Sequence, residues 1–99
     1  MFTSKERAKL RAIASTEDTI MQVGKSGISD NLVAALSDAL NARELVKISV
    51  LDNSPDEVTA VGRELSEKLN AEFVCAIGKK VVLYRYSDKK GVKHVEYKS

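Results

Sequence analysis

The sequence predicts an α/β fold: a single α+β two-layer domain whose elements run in the order α-β-α-β-α-β-β. Three observations carry this prediction. Three stretches of helical periodicity each follow an N-terminal signal, and short runs rich in branched residues separate them. The last two such runs are joined by a brief glycine-containing link, which reads as an antiparallel hairpin. At 99 residues the chain supplies one core of ordinary domain size.

The first helix is predicted over 5–14. Thr3 and Glu6 have the spacing of a capping box, and Leu10, Ile13 and Ala14 make a narrow apolar stripe on a basic surface. A short strand over 19–23 follows and ends at Gly24-Lys25-Ser26-Gly27. Ser29 is a good N-cap for a second helix over 30–42, in which Leu32, Val33, Leu36, Ala39 and Leu40 share one face. The strand over 45–51 alternates. Val46, Ile48 and Val50 form an apolar face, whereas Leu45, Lys47, Ser49 and Leu51 form a mixed one. Ser54-Pro55-Asp56-Glu57 combines an N-cap, a proline in the first helical position and a glutamate at the third. It predicts a third helix running to Leu69 and stopping at Asn70.

Strands over 73–77 and 81–86 are joined at Gly78-Lys79-Lys80, giving a four-stranded mixed sheet. A turn over 88–91 and a weak edge strand or disordered segment over 92–97 complete the chain. Strand–helix–strand units require right-handed crossovers, so the second and third helices should cover the same sheet face. The N-terminal helix then lies elsewhere, on the other face or at one end.

Composition narrows the function classes. Apolar residues make up 43% and charged residues 30%, with one Pro and five Gly, which is a globular composition. A single Cys permits no internal disulfide and suits a reducing, cytoplasmic setting. No apolar run approaches the ~20 residues of a membrane span, and residues 1–14 lack the apolar core of a signal peptide. These features exclude a secreted disulfide scaffold, a membrane protein and a multidomain enzyme. The net charge of +2 hides an asymmetry. Residues 31–77 hold four basic and eight acidic groups, whereas residues 78–99 hold seven basic and two acidic ones. Such clustering suits a polyanion partner, and suits equally a solvated basic tail.

Gly24-Lys25-Ser26-Gly27 carries most of the functional information. Glycines allow close approach of the backbone, the amides of a following helix N-terminus favour an anion, and Lys25 adds a mobile charge. The pattern fits a phosphate, and it also fits a plain strand–helix turn. A nucleotide P-loop is excluded, because that motif needs a glycine at position 19, which is Thr. Asp52, Asp56 and Glu57 are read as capping and dipole-complementing residues at the third helix, not as metal ligands. His94 is the only histidine and lies in the tail, so neither a metal site nor a catalytic dyad is expected. Cys75 reads as a small core residue. Tyr84 and Tyr86 alternate onto one strand face, where they could stack on bases, with core packing favoured for Tyr84. No nucleophile, base and oxyanion site come together.

Taken together, Leu10-Arg11-x-x-Ala14, Gln22-Val23-Gly24-Lys25-Ser26-Gly27, Glu44-Leu45-Val46-Lys47-Ile48 and Gly78-Lys79-Lys80-Val81-Val82-Leu83-Tyr84-Arg85 resemble the CRM (chloroplast RNA splicing and ribosome maturation) domain in its bacterial stand-alone, YhbY-like form. The resemblance spans residues 3–86. It implies the same α-β-α-β-α-β-β order and similarity to the C-terminal domain of translation initiation factor three. It implies RNA binding, an association with precursors of the large ribosomal subunit, and a glycine loop comparable to that of KH domains. Carried over by position, Gly24, Lys25, Ser26 and Gly27 meet the RNA, and Arg11, Lys47 and Arg85 match basic family positions. Lys79 and Lys80 extend the footprint.

There are departures from the family pattern. Ser26 stands where Gly is common, Arg43 stands where His is common, and Glu17, Asp18 and Thr19 replace a basic, proline-containing stretch.

The expected protein is thus a monomeric, non-enzymatic RNA-binding domain over 1–86 with a basic tail over 87–99. It needs no cofactor, metal, membrane or small-molecule substrate. The acidic residues Asp56, Glu57, Glu64 and Glu67 are expected to face away from the RNA. The alternative is a protein-interaction domain on ribosomal or translation proteins, without direct RNA contact.

Overall fold

The computed structural model describes residues 3–92, 94 and 95. Its elements follow in the order α1 (Ser4–Ser15), β1 (Met21–Val23), α2 (Asp30–Arg43), β2 (Leu45–Val50), α3 (Val58–Leu69), β3 (Glu72–Ile77) and β4 (Lys80–Tyr84). The strands form one mixed sheet in the order β1-β2-β4-β3. β1 and β2 are parallel, and the other two pairings are antiparallel.

The alternation in β2 decides the layering. Val46, Ile48 and Val50 join Leu36 and Leu40 of α2 and Val61, Leu65 and Leu69 of α3 in the larger core. Leu45 points the other way, where Val74, Val82 and Tyr84 meet Leu10 and Ala14 of α1. α2 and α3 therefore share one face, as the crossover rule requires. Of the two places open to the N-terminal helix, α1 takes the opposite face, so the expected two layers gain a third.

Helix ends follow local chemistry. Thr3 Oγ1 accepts the Glu6 N–H at 3.1 Å while Glu6 Oε1 accepts the Thr3 N–H at 3.0 Å, a complete capping box. Ser29 Oγ accepts the Leu32 N–H at 3.1 Å. Asn70 ends α3 in the left-handed conformation, φ 52° and ψ 45°. α1 has no basic residue in its own last turn, and Lys47 of β2 supplies the cation instead. Its Nζ donates to the carbonyls of Ala14 and Glu17, both at 3.1 Å.

Several boundaries differ from expectation. α3 starts at Val58 rather than at Pro55, with Glu57 as an N-cap that makes no side-chain cap bond. The reason is local. Ser54 Oγ is engaged with Asp56, accepting its N–H at 3.3 Å and donating to its carbonyl at 3.1 Å. A hydroxyl used in a turn two residues on is unavailable as a helix cap. β1 is shorter than predicted, beginning at Met21. β4 ends at Tyr84, and the Arg85 N–H carries the β2 register one step further by donating to the Glu44 carbonyl at 2.9 Å. The predicted turn over 88–91 is present, with Val92 N–H reaching the Lys89 carbonyl at 3.4 Å. Residues 92, 94 and 95 form no strand; the rest of the 92–97 segment lies outside the described residues.

One glycine is required by packing. A Cβ on Gly62, inside α3, would sit 2.8 Å from the ring of Phe73. The bare backbone lets the ring lie directly on the helix.

Candidate nucleic-acid interface

The parallel register Val23↔Val50 puts the C-terminal ends of β1 and β2 at one pole of the sheet. The loops that follow them meet there, together with the β3–β4 hairpin, whose Lys79 carbonyl accepts the Val50 N–H at 2.7 Å. Gly24-Lys25-Ser26-Gly27 is a tight turn closed by Gly27 N–H to Gly24 O at 2.9 Å. Lys25 and Ser26 occupy the exposed tip. Their own N–H groups find no acceptor among the described residues. Gly27 has φ +65°, which a side chain rarely tolerates, and a Cβ there would meet Pro55 Cγ at 3.1 Å. A Cβ on Gly24 would touch Leu51 Cδ1 at 3.4 Å and Asn53 Oδ1 at 3.5 Å. The β2–α3 loop thus buttresses the glycine turn from behind.

The turn offers its free amides ahead of the α2 N-terminus. Ile28 and Ser29 separate it from α2, Ser29 has already taken the Leu32 amide, and Asp30 opens the helix with a negative charge. An anion would be held by turn amides and the Lys25 ammonium, an arrangement of adjacent N–H donors suited to phosphate.

A lane of three polar residues ending at an apolar one leads away from the turn. The registers Gln22↔Ser49, Ser49↔Lys80 and Ile77↔Lys80 line these four residues up across the whole sheet. The row spans about 14 Å at the usual interstrand spacing. By alternation it lies on the α1 face, and Gln22 and Lys80 are exposed. Arg11, exposed on α1, lines the groove whose floor includes Ile77 and Cys75. Burial pushes the Cys75 thiol up, against the pull of Arg11 and Arg7.

The predicted site residues therefore divide. Gly24, Lys25, Ser26, Gly27, Lys79 and Lys80 gather at the loop pole, with Arg11 at the far end of the lane. Lys79 is paired with Asp52 of the β2–α3 loop. Lys47 is half-buried and holds the end of α1. Arg85 lies at the other pole, beside the start of β2. Its guanidinium donates to Leu69 O (2.9 Å), Ser37 O (2.9 Å), Ser37 Oγ (3.1 Å) and Asn41 Oδ1 (2.9 Å), tying α2 to the end of α3. Of the acidic residues expected to face away, Glu64 and Glu67 lie on α3, on the sheet face opposite the lane. Because α3 begins late, Asp56 and Glu57 belong to the β2–α3 loop after Pro55 rather than to the helix. Both are exposed.

Sequence reasoning missed two features. Gln22 and Ser49 belong to the lane, and the mixed face of β2 was the available signal. At the far pole, Glu44 is fully buried with φ +66°. Its Oε2 accepts the Ser87 N–H at 2.8 Å and faces His94 Nδ1 at 2.6 Å, while its Oε1 accepts the Val95 N–H at 2.8 Å. Burial would raise this carboxyl, but the bonds from Ser87, His94 and Val95 outweigh it and hold the group below its ordinary value. His94, expected in an unengaged tail, thus forms a close pair with a carboxylate that nothing local in the sequence announces.

Comparison with known proteins agrees with this architecture. The family described as the CRS1 / YhbY (CRM) domain matches residues 2–85. The chain is 39% identical over 87 residues to the Bacillus subtilis protein named "Probable RNA-binding protein YqeI", covering 88% of this chain and 91% of that one. It is 26% identical over 88 residues to "Probable RNA-binding protein PA4753" of Pseudomonas aeruginosa, covering 89% and 85%. The solution structure of the hypothetical protein SAV1595 from Staphylococcus aureus superposes with a TM-score of 0.81 at 38% identity, covering 99% of this chain and 100% of that one. A profile match over most of the chain, a relative of this identity and one shared three-dimensional fold lead to one conclusion: the chain belongs to the CRS1/YhbY (CRM) domain family.

Proposed function

We propose that this protein is a non-catalytic RNA-binding module that grips the phosphate backbone at the Gly24–Gly27 turn. In this reading it acts as a cytoplasmic monomer on ribosomal RNA of large-subunit precursors, in ribosome assembly. One observation carries the reading: an exposed turn at a sheet pole, closed by a 2.9 Å hydrogen bond, offers two uncommitted amides and the Lys25 ammonium in one place. The names of two relatives, which describe RNA-binding proteins, support the partner class. Gln22, Ser49, Lys80 and Arg11 extend the path, and the exposed Asp56 and Glu57 disfavour a polyanion over the β2–α3 loop. Contacts of this kind position RNA without reading its sequence.

The test is Lys25→Glu. It should weaken binding to ribosomal RNA tenfold or more while leaving thermal stability nearly unchanged, since Lys25 is exposed. Log affinity should fall with log salt at a slope of roughly −3 to −5 if four to six phosphates are neutralised. Unchanged affinity of the variant, or a slope near zero, would remove the turn from the site. The ribosomal assignment is tested separately, by sedimenting a lysate with and without nuclease. Co-migration with large-subunit particles that nuclease releases is the expected outcome, and protein remaining at the top of the gradient refutes it.

A further inference from the structure

Tyr86 is 59% exposed although one face of its ring is already covered. His94 stacks on that face, with ring centroids 4.6 Å apart and planes within 9°. The stack is built, not incidental. Tyr86 Oη approaches His94 Nε2 at 3.4 Å, His94 Nδ1 closes on buried Glu44 at 2.6 Å, and the flanking N–H groups of Ser87 and Val95 bond the same carboxylate. Ser87 itself is buried and donates to the Asn41 carbonyl. The chain is tied to Glu44 beside each ring, at Ser87 and at Val95, and Tyr86 remains exposed away from His94. It is the one large exposed aromatic among the described residues.

The surroundings are positive. Arg43 is exposed in the last turn of α2, next to Glu44, and Lys89 and Lys90 are exposed just after Ser87. Asp88 is the one exposed carboxylate of this segment among the described residues. A flat, preorganised, electron-rich ring among cations fits one ligand chemistry well: an unpaired nucleobase whose flanking phosphates meet the lysines. Tyr86 also lies just beyond residues 2–85, the extent of the family match, so the platform is not supplied by the family pattern.

We infer that Tyr86, backed by His94 and held by Glu44, is a stacking platform for an unpaired RNA base, at the pole of the sheet opposite the glycine turn. The inference rests on the RNA-binding reading and adds a second contact to it. β2, six residues long, separates the two poles, and a strand of that length spans about 20 Å. The bound RNA would therefore grip the turn by its backbone and rest a splayed-out base on Tyr86.

The test compares a single-stranded oligouridine of roughly 12 nucleotides with an abasic oligomer of equal length, against wild type, Tyr86→Phe, Tyr86→Leu and Lys25→Glu. Tyr86→Phe should bind within about twofold of wild type, because the ring is kept. Tyr86→Leu should lose roughly fivefold to a hundredfold on oligouridine and nothing on the abasic oligomer. Lys25→Glu should lose equally on both. Equal binding of oligouridine by Tyr86→Leu and wild type, or an equal loss on both oligomers, overturns the platform and leaves the turn untouched. A loss confined to Tyr86→Leu, with Lys25→Glu unaffected, supports the platform and refutes the turn. No binding of oligouridine by wild type also overturns it. Should Tyr86→Leu unfold, wild type bound to an oligomer carrying 2-aminopurine decides. Quenched emission supports stacking, and unchanged emission at saturation refutes it.

Discussion

His94 Nδ1 lies 2.6 Å from Glu44 Oε2, a contact between residues 50 positions apart that closes the C-terminal segment onto the sheet. Glu44 is buried, and its two oxygens accept bonds from Ser87 and Val95 as well as facing the imidazole. Glu44→Ala should therefore cost about 2–3 kcal/mol, because it leaves two backbone donors without an acceptor. Urea denaturation of wild type and variant measures this, and a difference under 0.5 kcal/mol would show that the segment relaxes into water freely.

The same carboxylate makes stability pH-dependent. Its folded pKa is depressed, so its contribution is fully present above the ordinary carboxylate value of about 4.3 and is lost as pH falls through the lower folded value. Glu44→Gln should flatten that acid limb of the stability curve. Thermal melts of both proteins between about pH 2 and 7 check it, and parallel curves refute it.

Gly62 and Phe73 make a second coupled pair. Gly62→Ala gains up to ~1 kcal/mol of helix propensity, but its methyl would stand 2.8 Å from the Phe73 ring. Overpacking of this kind costs about 1–3 kcal/mol, so net destabilisation is expected. Adding Phe73→Leu should make Gly62→Ala less costly. A double-mutant cycle by chemical denaturation measures the coupling, and additive effects would exclude the clash.

Gly27→Ala tests the turn geometry directly. The φ of +65° and the 3.1 Å approach to Pro55 both oppose a side chain. The variant should lose about 1 kcal/mol of stability and should bind RNA more weakly, because the amides at positions 25 and 26 shift. Calorimetry and an RNA titration report the two effects separately. A variant that keeps full affinity would show that the closed turn is not what holds phosphate.

Arg85→Lys should lower stability by roughly 1–3 kcal/mol, since an ammonium cannot reproduce a fork that joins Leu69, Ser37 and Asn41. Thermal melting measures it, and an unchanged midpoint would make the fork dispensable.

What the sequence made legible was what local chemistry decides. The Thr3–Glu6 box, the Ser29 cap, the Asn70 stop and the alternation of β2 rest on neighbours within a few residues, and each is present in the fold. The Gly24–Gly27 turn was readable for the same reason. What was not readable depends on partners distant in the chain. Lys47 and Arg85 both read as cations for a ligand, and only the fold brings the carbonyls of Ala14 and Glu17 to one and acceptors of α2 and the end of α3 to the other. Ser54 had two local uses of similar merit, as a helix cap or in a turn with Asp56, and the turn won. His94 had no visible partner, because a buried glutamate with positive φ at the end of α2 leaves no pattern in the sequence.

The bulge in β3 has a consequence for how the molecule behaves at high concentration. β3 is an outer strand, and the register shifts between Phe73 and Cys75. There the Arg7 guanidinium donates to the carbonyls of Phe73 and Val74 at 2.7 and 2.8 Å. An incoming strand from another molecule would find those acceptors occupied, the ladder out of step and a fixed cation in its way. The other outer strand, β1, is only three residues long. Both borders of the sheet thus resist edge-to-edge growth between molecules.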